Sequence, residues 1–152
     1  LPYFWQDDIA RDLEIVEKDG QLTFVIMDGY GRLYVVGPHA NEVNCDAPLF
    51  GSNMARDLEP APTGDGWLVM DAYGALFDSR DHSVSVAAGT YWLDAWFARD
   101  LAVFPGEATL MIDSYGGRHY REGKSPLSRL YPIPSELYFW GWEIVWDFEL
   151  VK

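Results

Sequence analysis

Cysteine, long apolar runs and positive charge are all scarce in this sequence. Cys45 is the only cysteine among the 152 residues, which excludes an intrachain disulfide and a metal site built on cysteine pairs. No stretch approaches the roughly 18 consecutive apolar residues of a membrane-spanning helix, so none is expected. Lysine and arginine number 11 against 24 aspartates and glutamates, for a net charge of −13. Because this charge repels phosphate backbones and anionic headgroups, neither nucleic acid nor a membrane is expected as a partner.

Motifs for catalysis and cofactor binding are also missing. There is no glycine-rich phosphate loop and no G-x-S-x-G nucleophile elbow. The acidic residues nowhere take the alternating spacing of a calcium-binding loop. His39, His82 and His119 lie too far apart in the sequence to share one local metal site. We therefore predict no catalytic residues, no metal ligands and no cofactor, and the sequence favours a protein that is not an enzyme.

The sequence does contain an internal repeat. An ARDL segment, then a loop, a short apolar strand ending in Asp, and x-Tyr-Gly, occurs from Ala10, Ala55 and Ala98. With the degenerate fourth copy YFWGWEIVWDFELVK included, the aspartates in register are separated by 45, 43 and 47 residues. This period is typical of repeat-built β architectures. We assign the chain to a single domain or part of one, with repeats at residues 3–47, 48–90 and 91–137 and a partial copy at 138–152.

Each repeat is predicted to be β. LTFVIMD, GWLVMD and ATLMID are short apolar runs rich in β-branched and aromatic residues, which is typical of strands. The D-G-Y-G, D-A-Y-G and D-S-Y-G that follow predict tight hairpins, in which Asp accepts backbone hydrogen bonds and the last Gly has positive φ. RLYVV, ALFDS and GRHYR would be the return strands. GPHANEVNCDAPLFGSN and REGKSPLSRLYPIPSEL contain the Pro, Gly and Ser of loops or edge strands.

Two all-β architectures suit repeats of this length. In a β-propeller, each repeat is one blade of a radial array. In a β-trefoil, three repeats close a single barrel. The partial fourth copy favours the propeller, because a trefoil has three units and leaves no place for a further strand. A propeller of three blades and the first strand of a fourth would then be part of a longer ring, or would be completed by a second chain.

The repeat unit also resembles a known family. The pattern YFW…DIARDLEIV…DGQ…VIMDGYGRLYVVG is similar to a repeat of bacterial β-propeller-like proteins, whose consensus is close to YW.GWDIARDI…DG…GYVLDGYGGLHPFG. The resemblance covers essentially the whole chain and implies a propeller-like fold, a non-enzymatic or unassigned role, and an extracellular or cell-surface location. It supplies no established site. The copies RLYVVG and ALFDSR lack the His and Pro of the pattern, and GGRHYREG alone keeps the His, as His119.

Side chains that recur in every repeat are the candidate site residues. A catalytic group is needed once, whereas a residue present in every repeat serves something that every repeat needs. The first interpretation is structural: each Arg forms a charge-assisted pair with the turn Asp or with the Asp that follows it, at Asp12, Asp57 or Asp100. The second is a ring of ligand sites, one per repeat, with the Tyr as a sugar-stacking platform. The candidates are Arg11, Asp28, Tyr30, Arg56, Asp71, Tyr73, Arg99, Asp113 and Tyr115.

Two functions follow from these interpretations. The first is a binding or scaffold module of a propeller, with protein as its partner, including other copies of itself joined through Tyr138 to Lys152. The second is a lectin-like domain that binds carbohydrate at one site per repeat.

Overall fold

The repeats fold as separate antiparallel sheets. The structure, a computed structural model, describes residues 10–62, 64–86, 95–104 and 108–121. In this part of the chain there is no α-helix, and one 3-10 turn spans Ala40–Glu42. The strands are β1 Ala10–Lys18, β2 Gln21–Asp28, β3 Leu33–Val36, β4 Ala55–Pro60, β5 Trp67–Asp71, β6 Ala75–Asp78, β7 Val84–Val86, β8 Ala98–Phe104, β9 Ala108–Asp113 and β10 Arg118–Arg121.

Each sheet is built from consecutive strands. Repeat 1 forms the sheet β1-β2-β3, repeat 2 forms β4-β5-β6-β7, and repeat 3 forms β8-β9-β10. The first strand of each sheet therefore carries the ARDL segment, the second carries the apolar run ending in Asp, and the third is the return strand. These assignments confirm the all-β prediction. The strand β7 adds a fourth strand in repeat 2 alone, among the residues that the structure describes.

The hairpin between the second and third strands follows the predicted turn chemistry. In repeat 1 the N–H of Gly31 donates to the carbonyl of Asp28 at 3.0 Å, and the N–H of Asp28 donates to the carbonyl of Arg32 at 3.0 Å. Gly31, Gly74 and Gly116 have φ of 83°, 85° and 84°, a region that an L-residue with a Cβ rarely adopts. Glycine at the end of D-x-Y-G is therefore required by the backbone.

The hydrophobic core lies between the repeats. Val25 and Met27 on one face of the repeat 1 sheet pack against Leu58, Trp67 and Val69 of repeat 2. On the far side of repeat 2, a second cluster joins its sheet to repeat 3 through Met70, Leu76, Leu101 and Met111. The first strands of the three sheets lie side by side, with β1 next to β4 and β4 next to β8. The repeat 2 sheet is thus a layer whose two faces are covered by the sheets before and after it in sequence.

The segment between β3 and β4 is a loop apart from the 3-10 turn, as its composition predicts. The predicted loop at residues 121–137 and the partial repeat at 138–152 lie outside the described residues, except for Arg121, which ends β10. Within the described ranges, no helix is long and apolar enough to cross a membrane.

A matched pair of glycines tests the turn. A Cβ at Gly31 would collide with the carbonyl oxygen of Pro48, whereas Gly64, at nearly the same φ of 84°, has nothing within 4 Å of an added Cβ. Gly64→Ala should cost about 1 kcal/mol from backbone strain alone, and Gly31→Ala should cost about 2 kcal/mol more because the loop carbonyl must move. Urea unfolding of the two variants measures the difference. Equal losses would show that Gly31 is required by its φ only.

Candidate functional site

The ARD segment forms a β-bulge at the start of each first strand. In repeat 1, Ala10 pairs with Asp28 and Asp12 pairs with Met27, so Arg11 is an extra residue in the ladder. The same interruption falls between Ala55 and Asp57 and between Ala98 and Asp100. A bulge bends its strand and changes the direction in which its side chains point. The repeated Arg therefore occupies a backbone position that every repeat shares.

Three guanidinium groups come close together at these bulges. Burial, followed by the charges of Arg11 and Arg99, lowers the pKa of Arg56 to about 10. Arg56 Nη1 donates to the carbonyl of Asn53 at 3.2 Å and to that of Ala55 at 2.8 Å. Arg99 repeats this geometry, with Nη1 donating at 3.0 Å to the carbonyl three residues earlier and at 3.4 Å to the carbonyl one residue earlier. Arg56 and Arg99 thus tie the segment before the first strand of repeats 2 and 3 to its bulge.

The same arginines contact the next repeat. Arg11 Nε donates to Asn53 Oδ1 at 3.1 Å, and the Arg56 guanidinium lies 5.6 Å from the ring centroid of Trp96. Asn53 and Trp96 are equivalent positions, each four residues before the Asp of its own ARD. One position in the following repeat therefore receives the Arg, by a hydrogen bond at one junction and by a cation–π contact at the next.

The turn aspartates act electrostatically on two of the repeated arginines. The charge of Asp71 acts on Arg56, and that of Asp113 acts on Arg99. The hydrogen bonds given above for Arg56 and Arg99 go to carbonyl oxygens, so bidentate Arg–carboxylate pairs stay a prediction. Asn53 was not among the residues chosen from the sequence, although its spacing before Asp57 equals that of Trp96 before Asp100.

Carboxyl groups of successive repeats also interact. Asp12 Oδ2 accepts a hydrogen bond from the backbone N–H of Leu58 at 2.8 Å, which links repeat 1 to repeat 2. Burial, followed by the charges of Asp12, Asp100 and Glu59, raises the pKa of Asp57 well above its ordinary value. The carboxyl group of Asp12 thus acts in the same direction as burial, and both favour the protonated form of Asp57.

The turn aspartates satisfy the backbone of their own hairpins. Asp28 Oδ1 accepts from the N–H groups of Tyr30 and Arg32 at 2.8 and 2.9 Å. The carboxylates of Asp71 and Asp113 accept from the equivalent positions of their own repeats at 2.8–2.9 Å. These three residues therefore carry out the hydrogen bonding that the sequence predicts for a turn Asp.

The residue that can reach the second oxygen of the turn Asp differs between the repeats. Position six after the Asp, where the resembling family has His, is Tyr34 in repeat 1, Phe77 in repeat 2 and His119 in repeat 3. The Tyr34 hydroxyl donates to Asp28 Oδ2 at 3.2 Å, and His119 Nε2 lies 2.8 Å from Asp113 Oδ2.

The pKa values of Asp113 and Asp71 are shifted in opposite directions. Burial raises the pKa of Asp113, but the hydrogen bond from His119 and the backbone N–H groups outweigh it, and the net pKa is lowered. Phe77 offers no such group in repeat 2, and burial there raises the pKa of Asp71.

The repeated tyrosines are half-buried and packed. The Tyr30 ring lies 5.7 Å from the Arg32 guanidinium, and the Tyr115 ring meets Phe97 edge-on at a centroid distance of 5.2 Å. A groove of about 660 Å³ opens instead at the junction of repeats 1 and 2, beside Ile15, Glu42, Asp65, Trp67 and Arg80. None of the repeated Arg, turn Asp or Tyr candidates lines it. The groove is therefore a feature of the junction between repeats 1 and 2 and is not formed by the candidate residues that recur in every repeat.

Comparison with protein-family models finds no match, and comparison with curated proteins finds no significant similarity. In the part of the chain that the structure describes, no three His, Cys, Asp or Glu side chains are placed to hold a metal ion. The geometry of the repeated residues therefore carries the functional argument.

The raised pKa of Asp57 gives a pH test. Folding raises the pKa of Asp57 above 3.8, and burial with the charge of Asp12 raises that of Glu14 from 4.5 to about 7. The folded state then binds more protons than the unfolded state, so both groups make the free energy of unfolding fall as the pH rises from about 4 to 7. Asp57→Asn should flatten this fall and stabilise the protein by about 1 kcal/mol at pH 7, as measured by urea unfolding.

Asp65→Asn is the control for this test, because Asp65 is exposed and its replacement removes the same charge. It should leave the pH dependence unchanged. If Asp57→Asn instead destabilises the protein at pH 7 as much as at pH 4, folding does not raise the pKa of Asp57.

Proposed function

We propose that this chain is a non-enzymatic binding or scaffold module of the β-propeller type and forms part of a larger ring or assembly. The observation that carries the proposal is the use made of the repeated residues. Arg11 contacts the next repeat through Asn53, and Asp12 contacts it through the N–H of Leu58. Residues that recur because they join one repeat to the next hold the array of repeats together. This is the role expected of such residues in a scaffold.

The order of the sheets supports the propeller. The N–H of Ala55 donates to the carbonyl of Gly29 at 2.9 Å, and the N–H of Ala98 donates to the carbonyl of Ala72 at 3.2 Å. Each first strand is thus bonded to the turn of the preceding repeat at the same place. Separate sheets that follow one another with the same hydrogen bond at each junction, and with their first strands adjacent, are arranged like the successive blades of a propeller. The trefoil stays the alternative architecture.

The carbohydrate alternative makes a different use of the same residues. It requires the Tyr of each turn to present a ring face to a sugar, and it places one equivalent site in every repeat. Packing of Tyr115 against Phe97 and of Tyr30 against Arg32 favours the structural role. A glycan array tests the alternative: a glycan that binds the wild-type chain but not Tyr73→Ala would support a lectin and contradict the scaffold proposal.

A pair of arginine variants tests the structural role. Arg56→Met keeps the aliphatic stem but removes the hydrogen bonds to two carbonyls and the contact with Trp96. It should lower the free energy of unfolding by about 1.5–3 kcal/mol, the usual contribution of hydrogen bonds to a charged group. Arg32→Met is the control, since this side chain is 60% exposed and its loss should change stability by less than about 0.5 kcal/mol. Chemical denaturation monitored by tryptophan fluorescence measures both.

If Arg56→Met is as stable as the wild type, the repeated Arg does not serve to join the repeats, and the scaffold proposal loses its main support.

A further inference from the structure

The groove at the junction of repeats 1 and 2 has an apolar lining. It holds about 660 Å³ and is bounded by the end of β1, the segment after the 3-10 turn, and the hairpin between β4 and β5. This volume lies within the range of roughly 300–1,000 Å³ that is usual for binding sites. The apolar side chains are Ile15, Val16, Val43, Pro60 and Trp67. The groove therefore offers a surface against which a hydrocarbon chain can pack.

Hydrogen bonds fix the walls of this groove. Trp67 Nε1 donates to the carbonyl of Asn44 at 2.8 Å, which ties the loop to the start of β5. The N–H of Trp67 donates to Ser79 Oγ at 2.8 Å, and the N–H of Ala61 donates to the carbonyl of Gly66 at 2.9 Å. Because both walls are held in this way, the groove is already formed, and a ligand does not have to order it.

Carboxylates accompany the apolar lining. Glu17, Glu42 and Asp65 all line the groove, and all three are exposed. The arginine that lines it, Arg80, donates through Nε to Asp78 Oδ1 at 2.8 Å and through Nη2 to Asp78 Oδ2. Asp78 thus compensates the charge of Arg80, and the lining as a whole is negative.

Two of these carboxylates are available to a ligand. Glu42 accepts a hydrogen bond from Lys18, and His39 Nδ1 lies 2.9 Å from its Oε1. By contrast, no hydrogen bond or ion pair within the described residues holds the carboxylate of Glu17 or of Asp65. The chain carries a net charge of −13, so its field attracts cations to this groove and repels anions.

We propose that this groove binds a short basic segment of a partner protein, with a lysine stem along the apolar lining and its ammonium group beside Glu17 and Asp65. The inference rests on the proposed binding and scaffold function, because it names the surface and the chemistry of the partner. Lysine suits the groove, since its four-carbon stem packs on apolar surface while the ammonium group stays at the water-facing end. No three carboxyl groups of the described residues are placed to hold a metal ion, which favours an organic cation.

Isothermal titration calorimetry of the 152-residue chain with a capped heptapeptide of alternating lysine and alanine tests the proposal. The wild type should bind one peptide at low ionic strength. The double variant Glu17→Gln, Asp65→Asn should raise the dissociation constant about tenfold, because the loss of one exposed ion pair changes binding about two- to fivefold. A peptide with diaminobutyrate in place of lysine keeps the charges but has a shorter stem, so it should bind about tenfold more weakly.

The matched control is the double variant Asp19→Asn, Asp46→Asn. It also removes two charges, but from exposed positions that do not line the groove. Asparagine suits the φ of 52° at Asp19, because it tolerates the left-handed region. The dissociation constant of this control should stay within about twofold of the wild type, since only the general field of the chain has changed.

Three outcomes would overturn the inference. They are a wild type that does not bind the lysine peptide, equal weakening by the two double variants, and equal affinity for the two peptides. Circular dichroism and the melting temperature establish that the variants are folded. The scaffold proposal is judged separately by Arg56→Met and the glycan array, so a chain that ignores the peptide but is destabilised by Arg56→Met would refute the groove site alone.

Discussion

Burial of each sheet face by the neighbouring repeat is the constraint on which the rest of the structure depends. Two of the apolar clusters in the described part of the chain join residues of different repeats. In the first of them, Val25 and Met27 belong to one sheet, and Leu58 and Val69 to the next. A single three-stranded sheet with two apolar faces cannot cover either of them by itself. Stability therefore comes from the interfaces, as in other repeat proteins, where the units depend on their nearest neighbours. The bulge, the Arg contacts and the backbone bond from Ala55 to Gly29 all lie at such an interface and fix its geometry.

Charged groups at these interfaces are accommodated in ways that differ between repeats. At the two junctions that the structure describes, the Arg reaches the position four residues before the next Asp, but Arg11 meets an amide at Asn53 and Arg56 meets an indole at Trp96. The turn Asp always accepts two backbone N–H groups through one oxygen, while its other oxygen meets a hydroxyl in repeat 1 and an imidazole in repeat 3. The backbone hydrogen bonds are thus the constant part. The side-chain partners can vary, because each needs only to contact or neutralise a charge that the backbone has already positioned.

The sequence predicts the strands and the turns well, because both depend on local chemistry. ATLMID coincides with the strand Ala108–Asp113, and the Asp and Gly of the hairpins act as their residue types require. It does not reveal the bulge at Arg11, since an extra residue in a ladder depends on the partner strand. Nor does it reveal β7, whose three residues are too few to show a period. For the candidate site, it identifies the repeated Arg and Asp but not their carbonyl and Asn53 contacts. It also cannot separate Leu13 from Leu58, because the two have the same local pattern and differ only in what covers them.

The contrast between Leu13 and Leu58 has an energetic consequence for assembly. Repeats within one chain are held at a high effective concentration by short connections, so their faces associate whenever the chain is folded. A face of the same composition on a separate copy must also overcome the loss of translational and rotational freedom on association. Equal surface chemistry would therefore give permanent contacts within a chain but only concentration-dependent contacts between separate chains.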